Sequence, residues 1–256
     1  MKKWFAAALA VVATVAAAAE IAPEARRSGY DFASPEIRAM QDDDTANPGM
    51  LWVSQGEGLW SKKAGAAALS CQDCHGNPQT SMKGVAARYP AFDAGLGRPI
   101  DLEQRINLCR TEHQRAEPFA GESEDLLGLT AFVANQSRGM SIDVNDSVEL
   151  KPISELGDKL FHRREGQLNL SCSQCHDDNS GKRLAGNVIP QAHPTGYPAY
   201  RLEWQSLGSL QRRLRECMTG VRAEPYDHGA PEMVALELYL MERARGMKIE
   251  TPAVRP

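Results

Sequence analysis

Cys71-Gln-Asp-Cys74-His75 and Cys172-Ser-Gln-Cys175-His176 decide the reading of this chain. Two thiols separated by two residues and followed at once by an imidazole form the attachment sequence of covalent c-type haem. The thiols add to the haem vinyl groups, and the histidine becomes the proximal iron ligand. A thioredoxin-like redox pair or half of a zinc site needs no histidine directly after the second cysteine, and a redox pair wants a βαβ context that is missing here. The expectation is two covalently attached haem c groups, on Cys71 and Cys74 with His75, and on Cys172 and Cys175 with His176. Two later single cysteines, Cys109 and Cys217, complete the six in the chain.

Haem of this kind is attached outside the cytoplasm, and the N-terminus reads accordingly. Met1-Lys2-Lys3 is a basic start, and Trp4 to Ala19 is small and apolar with an Ala-rich cleavage signal before Glu20. Residues 1–19 read as a signal peptide and 20–48 as an N-terminal extension. The segment is short and is followed by Glu20, Pro23 and Glu24, unlike a stop-transfer anchor. No later stretch is apolar enough to span a bilayer, so the expectation is a periplasmic protein with no membrane anchor after processing. The 29 basic and 33 acidic residues give a net charge of −4, and −6 once Lys2 and Lys3 are removed. Such a balance gives no general attraction to nucleic acid.

The chain repeats itself. Arg105-Ile-Asn-Leu-Cys109 echoes Arg213-Leu-Arg-Glu-Cys217, Arg115-Ala-Glu-Pro-Phe119 echoes Arg222-Ala-Glu-Pro-Tyr226, and Arg138-Gly-Met140 echoes Arg245-Gly-Met247. The offset is 101 residues between the haem motifs, 108 between the lone cysteines and 107 thereafter, so the second copy carries a longer loop after its motif. This is duplication of a small domain, with a first copy at 49–146, a second at 153–250, and a linker from Ile142 to Pro152, where polar residues and a proline break the apolar pattern.

Within each copy the pattern is helical. Met50 to Lys63 and Ile153 to Arg164 precede the motifs, and Asp101 to Glu112 and Glu203 to Met218 carry the lone cysteines. Glu124 to Gln136, capped by Ser123, and Pro231 to Arg245, with proline in its first turn, close the copies. Strand signals are scarce. The expected fold is therefore all-α: two tandem, duplicated cytochrome c-like domains, each gaining much of its core from the porphyrin.

The sixth iron position decides the chemistry. Met140, Met218, Met233, Met241 and Met247 are candidates, although Met233 and Met241 sit on an apolar helical face and read as core. His113, His162, His193 and His228 have no counterpart in the other copy. Cys109 and Cys217 do correspond, and so do Met140 and Met247, which lie beyond the final helices. The cysteines read as axial ligands, as a Cys109–Cys217 disulfide, which an oxidising compartment permits, or as free thiols. A thiolate ligand would favour ferric iron and lower the reduction potential. A six-coordinate site argues against peroxidase or oxygenase activity and leaves sulfur chemistry at the cysteine.

Two haem-c units, each with a later lone cysteine, and the segment Arg212-Arg-Leu-Arg-Glu-Cys217-Met-Thr-Gly-Val-Arg-Ala-Glu-Pro-Tyr226 resemble the SoxA family, the larger subunit of the SoxAX cytochromes of bacterial thiosulfate oxidation. The resemblance spans nearly the whole mature chain. It implies an L-cysteine S-thiosulfotransferase that joins thiosulfate to a cysteine of a SoxYZ carrier protein and passes electrons to c-type haem. It also implies a heterodimer with a SoxX-like monohaem cytochrome c. It implies Cys217 as axial ligand and catalytic persulfide, Cys109 as the other axial ligand, and Arg213 as the substrate-binding residue. Arg213 and Cys217 are four apart and share a helical face, and a guanidinium fork suits sulfonate oxygens. Arg105 precedes Cys109 by the same four residues, which leaves a haem propionate as another partner for Arg213. The alternative function is a dihaem periplasmic electron-transfer cytochrome without sulfur chemistry of its own.

Overall fold

The computed structural model describes residues 21–256, so the signal peptide read at 1–19 lies outside the described residues. After the extension, which carries α1 (Pro35–Asp42), the first copy comprises α2 (Met50–Ser61), α3 (Cys71–His75), α4 (Pro78–Ser81), α5 (Leu102–Cys109) and α6 (Glu124–Asn135). The second comprises α7 (Lys151–His162), α8 (Cys172–His176), α9 (Leu210–Gly220) and α10 (Pro231–Arg243). The expected helices all form, with ends shifted by a residue or two except at α9 and at the end of α5, which stops three residues early at Cys109.

In each copy the first and last helices cross at a glycine. A Cβ at Gly56 of α2 would lie 2.1 Å from the Gly128 carbonyl oxygen of α6, and one at Gly157 of α7 would lie 2.1 Å from that of Ala235 in α10. The absent side chain lets the two backbones touch. Around the crossings Val53, Trp60, Leu129 and Phe132 are buried in one copy, and Leu160, Phe161, Leu236 and Leu240 in the other.

The all-α expectation is corrected by three small sheets. β1 (Ala91–Asp93) and β2 (Arg98–Ile100) form a hairpin before α5, and β3 (Arg183–Leu184) and β4 (Asn187–Val188) form one in the longer loop of the second copy. β5 (Ala199–Arg201) lies between antiparallel β6 (Ser206–Gly208) and parallel β7 (Ala253–Arg255). Strands of two or three residues are too short to build an alternating pattern. The helix expected from Glu203 is for the same reason a strand at first: α9 starts only at Leu210, where the Ser209 side chain accepts from the Arg212 N–H.

The change of offset from 108 to 107 has a structural cause. The first copy has one more residue between its lone cysteine and the following arginine, and there the helix widens into a π-turn at Arg110–Gln114. A π-turn is the way a helix absorbs one inserted residue. Both copies then reach the same left-handed arginine, Arg115 at φ 53° and Arg222 at φ 58°.

The segment read as a linker is built into the core: Ile142, Val144 and Leu150 are each about 1% exposed and pack with Leu238, Met241 and Ile249. The repeated Arg-Gly-Met segments meet there. Gly139 N–H donates to Ile249 and Ile249 N–H to Met140, while Gly246 N–H donates to Ile142 and Ile142 N–H to Met247. The pairing is reciprocal, as for two copies facing each other across a two-fold axis. This accounts for the match between Met140 and Met247, which lie at the joint between the copies.

Candidate active site

The second motif is held by its own local signals. Ser171 caps α8, accepting from Gln174 N–H while the Gln174 side chain accepts from Ser171 N–H. The short helix carries Cys172 and Cys175, and His176 ends it. The His176 Nδ1 lies 2.7 Å from the Pro190 carbonyl oxygen, which the longer loop delivers. Donation to that carbonyl leaves Nε2 free to bind a metal.

His176 opens onto a cavity of about 160 Å³ that Cys217 of α9 also lines. The other walls include Leu210, Leu214 and Leu240, the cations Arg201, Arg213 and Arg255, and Phe32 from the N-terminal extension. Burial acts to raise the Cys217 thiol, but the facing His176 ring and the guanidinium of Arg213, with Arg201 behind, outweigh it and hold the thiol below its ordinary value. Burial likewise works against the Arg213 cation, yet Cys217, Tyr197 and Glu216 around it raise its pKa. Arg213 Nη1 donates to Glu216 at 3.0 Å. Burial, with Cys217 nearby, pushes the Cys172 thiol up to about 12.

The first motif is capped in the same way by Ser70 with Asp73, yet it is more open: Cys74 and His75 are exposed, where Cys175 and His176 are half-buried. The His75 ring lies 5.8 Å from Trp60. Cys109 faces Arg105 and Cys74, and burial pushes it up. All six cysteines are free, and each lone cysteine faces its own motif, so the disulfide reading is set aside. Met233 and Met241 are core residues, 0% and 8% exposed.

These donor sets fit haem c. Each copy offers two free thiols one helical turn apart, a histidine beside them and a facing cysteine, and the second adds an apolar wall with cations at its edge. Among the described residues no cluster of histidine, cysteine and carboxylate suits a bare metal ion instead.

A family model of the SoxA/TsdA cytochrome c domain matches residues 55–142 and 156–249. The chain belongs to the SoxA/TsdA cytochrome c family. It is 40% identical over 230 residues to the SoxA subunit of L-cysteine S-thiosulfotransferase from Pseudaminobacter salicylatoxidans, covering 89% of this chain and 80% of that one. It is 34% identical to the SoxA subunit from Rhodovulum sulfidophilum, covering 90% of this chain and 80% of that one. The crystal structure of SoxXA from P. pantotrophus matches with a TM-score of 0.87 at 32% identity, over 90% of this chain and 87% of that one.

The SoxA motif residues thus fall into two clusters, one per copy, with Arg213 and Cys217 together in the second. Sequence reasoning missed Arg201, Arg255 and Tyr197, which come from β5, β7 and the turn before β5. A signal existed for Tyr197. Tyr89-Pro-Ala and Tyr197-Pro-Ala are a further echo of the repeat at the offset of the lone cysteines.

Proposed function

We propose that this chain is the SoxA subunit of a periplasmic L-cysteine S-thiosulfotransferase, with its active site in the second copy, 153–250. The supporting observation is the meeting of Cys217, its thiol held low, with His176 and Arg213 in one cavity of a SoxA chain. The substrates are thiosulfate and a cysteine thiol of a carrier protein of the SoxYZ type. One sulfur–sulfur bond forms between the carrier cysteine and the outer sulfur of thiosulfate. The carrier thiol releases a proton, and two electrons leave, giving a cysteine S-thiosulfonate.

In this reading each copy binds one haem c, through Cys71, Cys74, His75 and Cys109 and through Cys172, Cys175, His176 and Cys217. Haem, when bound, supplies a one-electron acceptor beside the reacting sulfur, and a monohaem SoxX-like partner in a heterodimer takes the electrons onward. Arg213 holds the sulfonate of thiosulfate as a charge-assisted, forked pair. Cys217, its thiol drawn below its ordinary value by the charges around it, is the sulfur-handling residue, carried as a persulfide in this reading. Among the described residues no helix is long and apolar enough to cross a membrane.

The test is Cys217→Ser, assayed with the monohaem partner and carrier protein. Thiosulfate-dependent cytochrome reduction should disappear, and intact-protein mass spectrometry should lose a reducible sulfur adduct carried by the native chain. Full turnover in this variant would leave a plain dihaem electron carrier.

A further inference from the structure

The two copies share more than their motifs. Cis peptides precede Pro90 and Pro198, and the hairpins that follow pair in the same register, Ala91 with Ile100 and Ala199 with Gly208. All of these correspond at the offset that relates Cys109 to Cys217. By that register Tyr89 matches Tyr197, Arg105 matches Arg213, and Asp93 matches Arg201.

The last match reverses a charge. In the first copy Arg105 donates from Nη2 to the Asp93 carboxylate and from Nε to the Tyr89 hydroxyl at 3.2 Å. Its charge is neutralised locally. In the second copy a guanidinium stands where that carboxylate would be, so Arg213 lines one cavity with another cation, and its carboxylate partner is the half-exposed Glu216 at 3.0 Å. Arg201 has only 8% of its side chain exposed, and its Nε is buried with no partner. Its Nη2 reaches Glu203 at 3.1 Å, a carboxylate that is 62% exposed. A buried donor without an acceptor costs free energy, and a buried cation beside a second, half-buried one at the same cavity adds to that cost. Both costs are removed by an anion bound in the cavity.

A haem propionate would be common to both copies, and the first copy keeps a carboxylate at this position, which would repel one. The cation therefore serves a ligand taken by the second copy alone. We propose that Arg201 is the specificity-determining residue of the Cys217 cavity: with Arg213 it binds the sulfonate end of thiosulfate, and Asp93 in its place makes the first copy unreceptive to anions. This rests on the thiosulfate reading above.

The experiment uses the haem-loaded complex with its monohaem partner, in the variants Arg201→Gln, Arg201→Asp and Arg201→Lys. Sulfate, a non-reducing tetrahedral dianion, is the calorimetric probe. Haem content, the reduction potential of the second haem and KM for thiosulfate are measured alongside. Arg201→Gln should raise the sulfate Kd and the thiosulfate KM about tenfold or more. Arg201→Asp should raise them further by giving Arg213 the partner that Arg105 has, and Arg201→Lys should fall between Gln and the native protein. Haem content should stay near native, and the loss should fall on KM and not on kcat.

Native sulfate affinity in both Gln and Asp variants would overturn the proposal, and so would a shifted potential at unchanged affinity, which would put Arg201 on a propionate. If Arg201→Asp fails to retain haem, the Gln and Lys variants carry the test. The two readings fail separately. A live Cys217→Ser variant with Arg201-dependent sulfate binding removes the reaction and leaves the anion site; a dead Cys217→Ser variant with native binding in Arg201→Gln removes only the anion site.

Discussion

Cys109 and Cys217 occupy the same place in their copies and face opposite electrostatics. Burial raises the first, whereas His176 and Arg213 bring the second down. Arg105 and Arg213 diverge in the same way, one tied to the buried Asp93 and to Tyr89, the other held by the half-exposed Glu216 and lining the cavity. Arg213→Ala should therefore raise the thiosulfate KM about tenfold or more, while Arg105→Ala should leave KM unchanged in steady-state assays. Arg105→Ala should instead cost about 1–3 kcal/mol in urea unfolding, because Asp93, with 10% of its side chain exposed, loses its cation. Equal effects on KM would show that both arginines serve their haems. At this scale the clustering of each motif with its lone cysteine, and of Arg213 with Cys217, was legible, since motif spacing and the four-residue step on a helix are local. Arg201 was not, because only the pairing of β5 with β6 and β7 turns it toward the cavity that α9 lines.

Helices were legible because their apolar faces recur over many residues, and the strands were not because each is too short to alternate. What sequence periodicity does not convey is how closely the helices approach. The crossings at Gly56 and Gly157 are contacts of backbone on backbone, and a methyl at either would meet a carbonyl oxygen at 2.1 Å. Gly56→Ala and Gly157→Ala should each destabilise the haem-loaded protein by about 1–3 kcal/mol in denaturant titration. Gly58, also in α2, is exposed, and a methyl there would have nothing within 4 Å; Gly58→Ala should be neutral or stabilise by up to about 1 kcal/mol. A loss at Gly58 equal to that at Gly56 would mean that the cost reflects helix propensity or the unfolded chain and not the crossing.

The whole molecule is two copies closed face to face, and the joint carries an electrostatic tension to which both contribute. Gln211 Nε2 donates both to Asp101 Oδ2 at 2.9 Å and to Glu237 Oε2 at 3.1 Å, so a carboxylate from each copy shares one amide. Burial, then Asp101, pushes Glu237 up to about 8, and burial raises Asp101 and Glu103 as well. In the first copy the residue corresponding to Glu237 is Thr130, whose buried hydroxyl has no partner, so the second copy's glutamate adds a charge to a joint where Asp101 and Glu122 already raise Glu103. Between its ordinary value near 4.5 and about 8, the folded protein holds a proton on Glu237 that the unfolded chain releases. The stability tied to that proton is fully present at the acid end of this window and is lost as pH rises through it. His193 and His228, both lowered mainly by burial, act with the opposite sign below their ordinary value, so the informative quantity is the difference between variant and native protein. Glu237→Gln keeps the shape and supplies a permanent donor toward Asp101. Its Tm should stay near native at pH 5 and exceed native by several degrees at pH 8 in calorimetric scans. A variant less stable than native by the same margin at both pH values would show that Glu237 contributes packing and hydrogen bonding to the joint, and no proton.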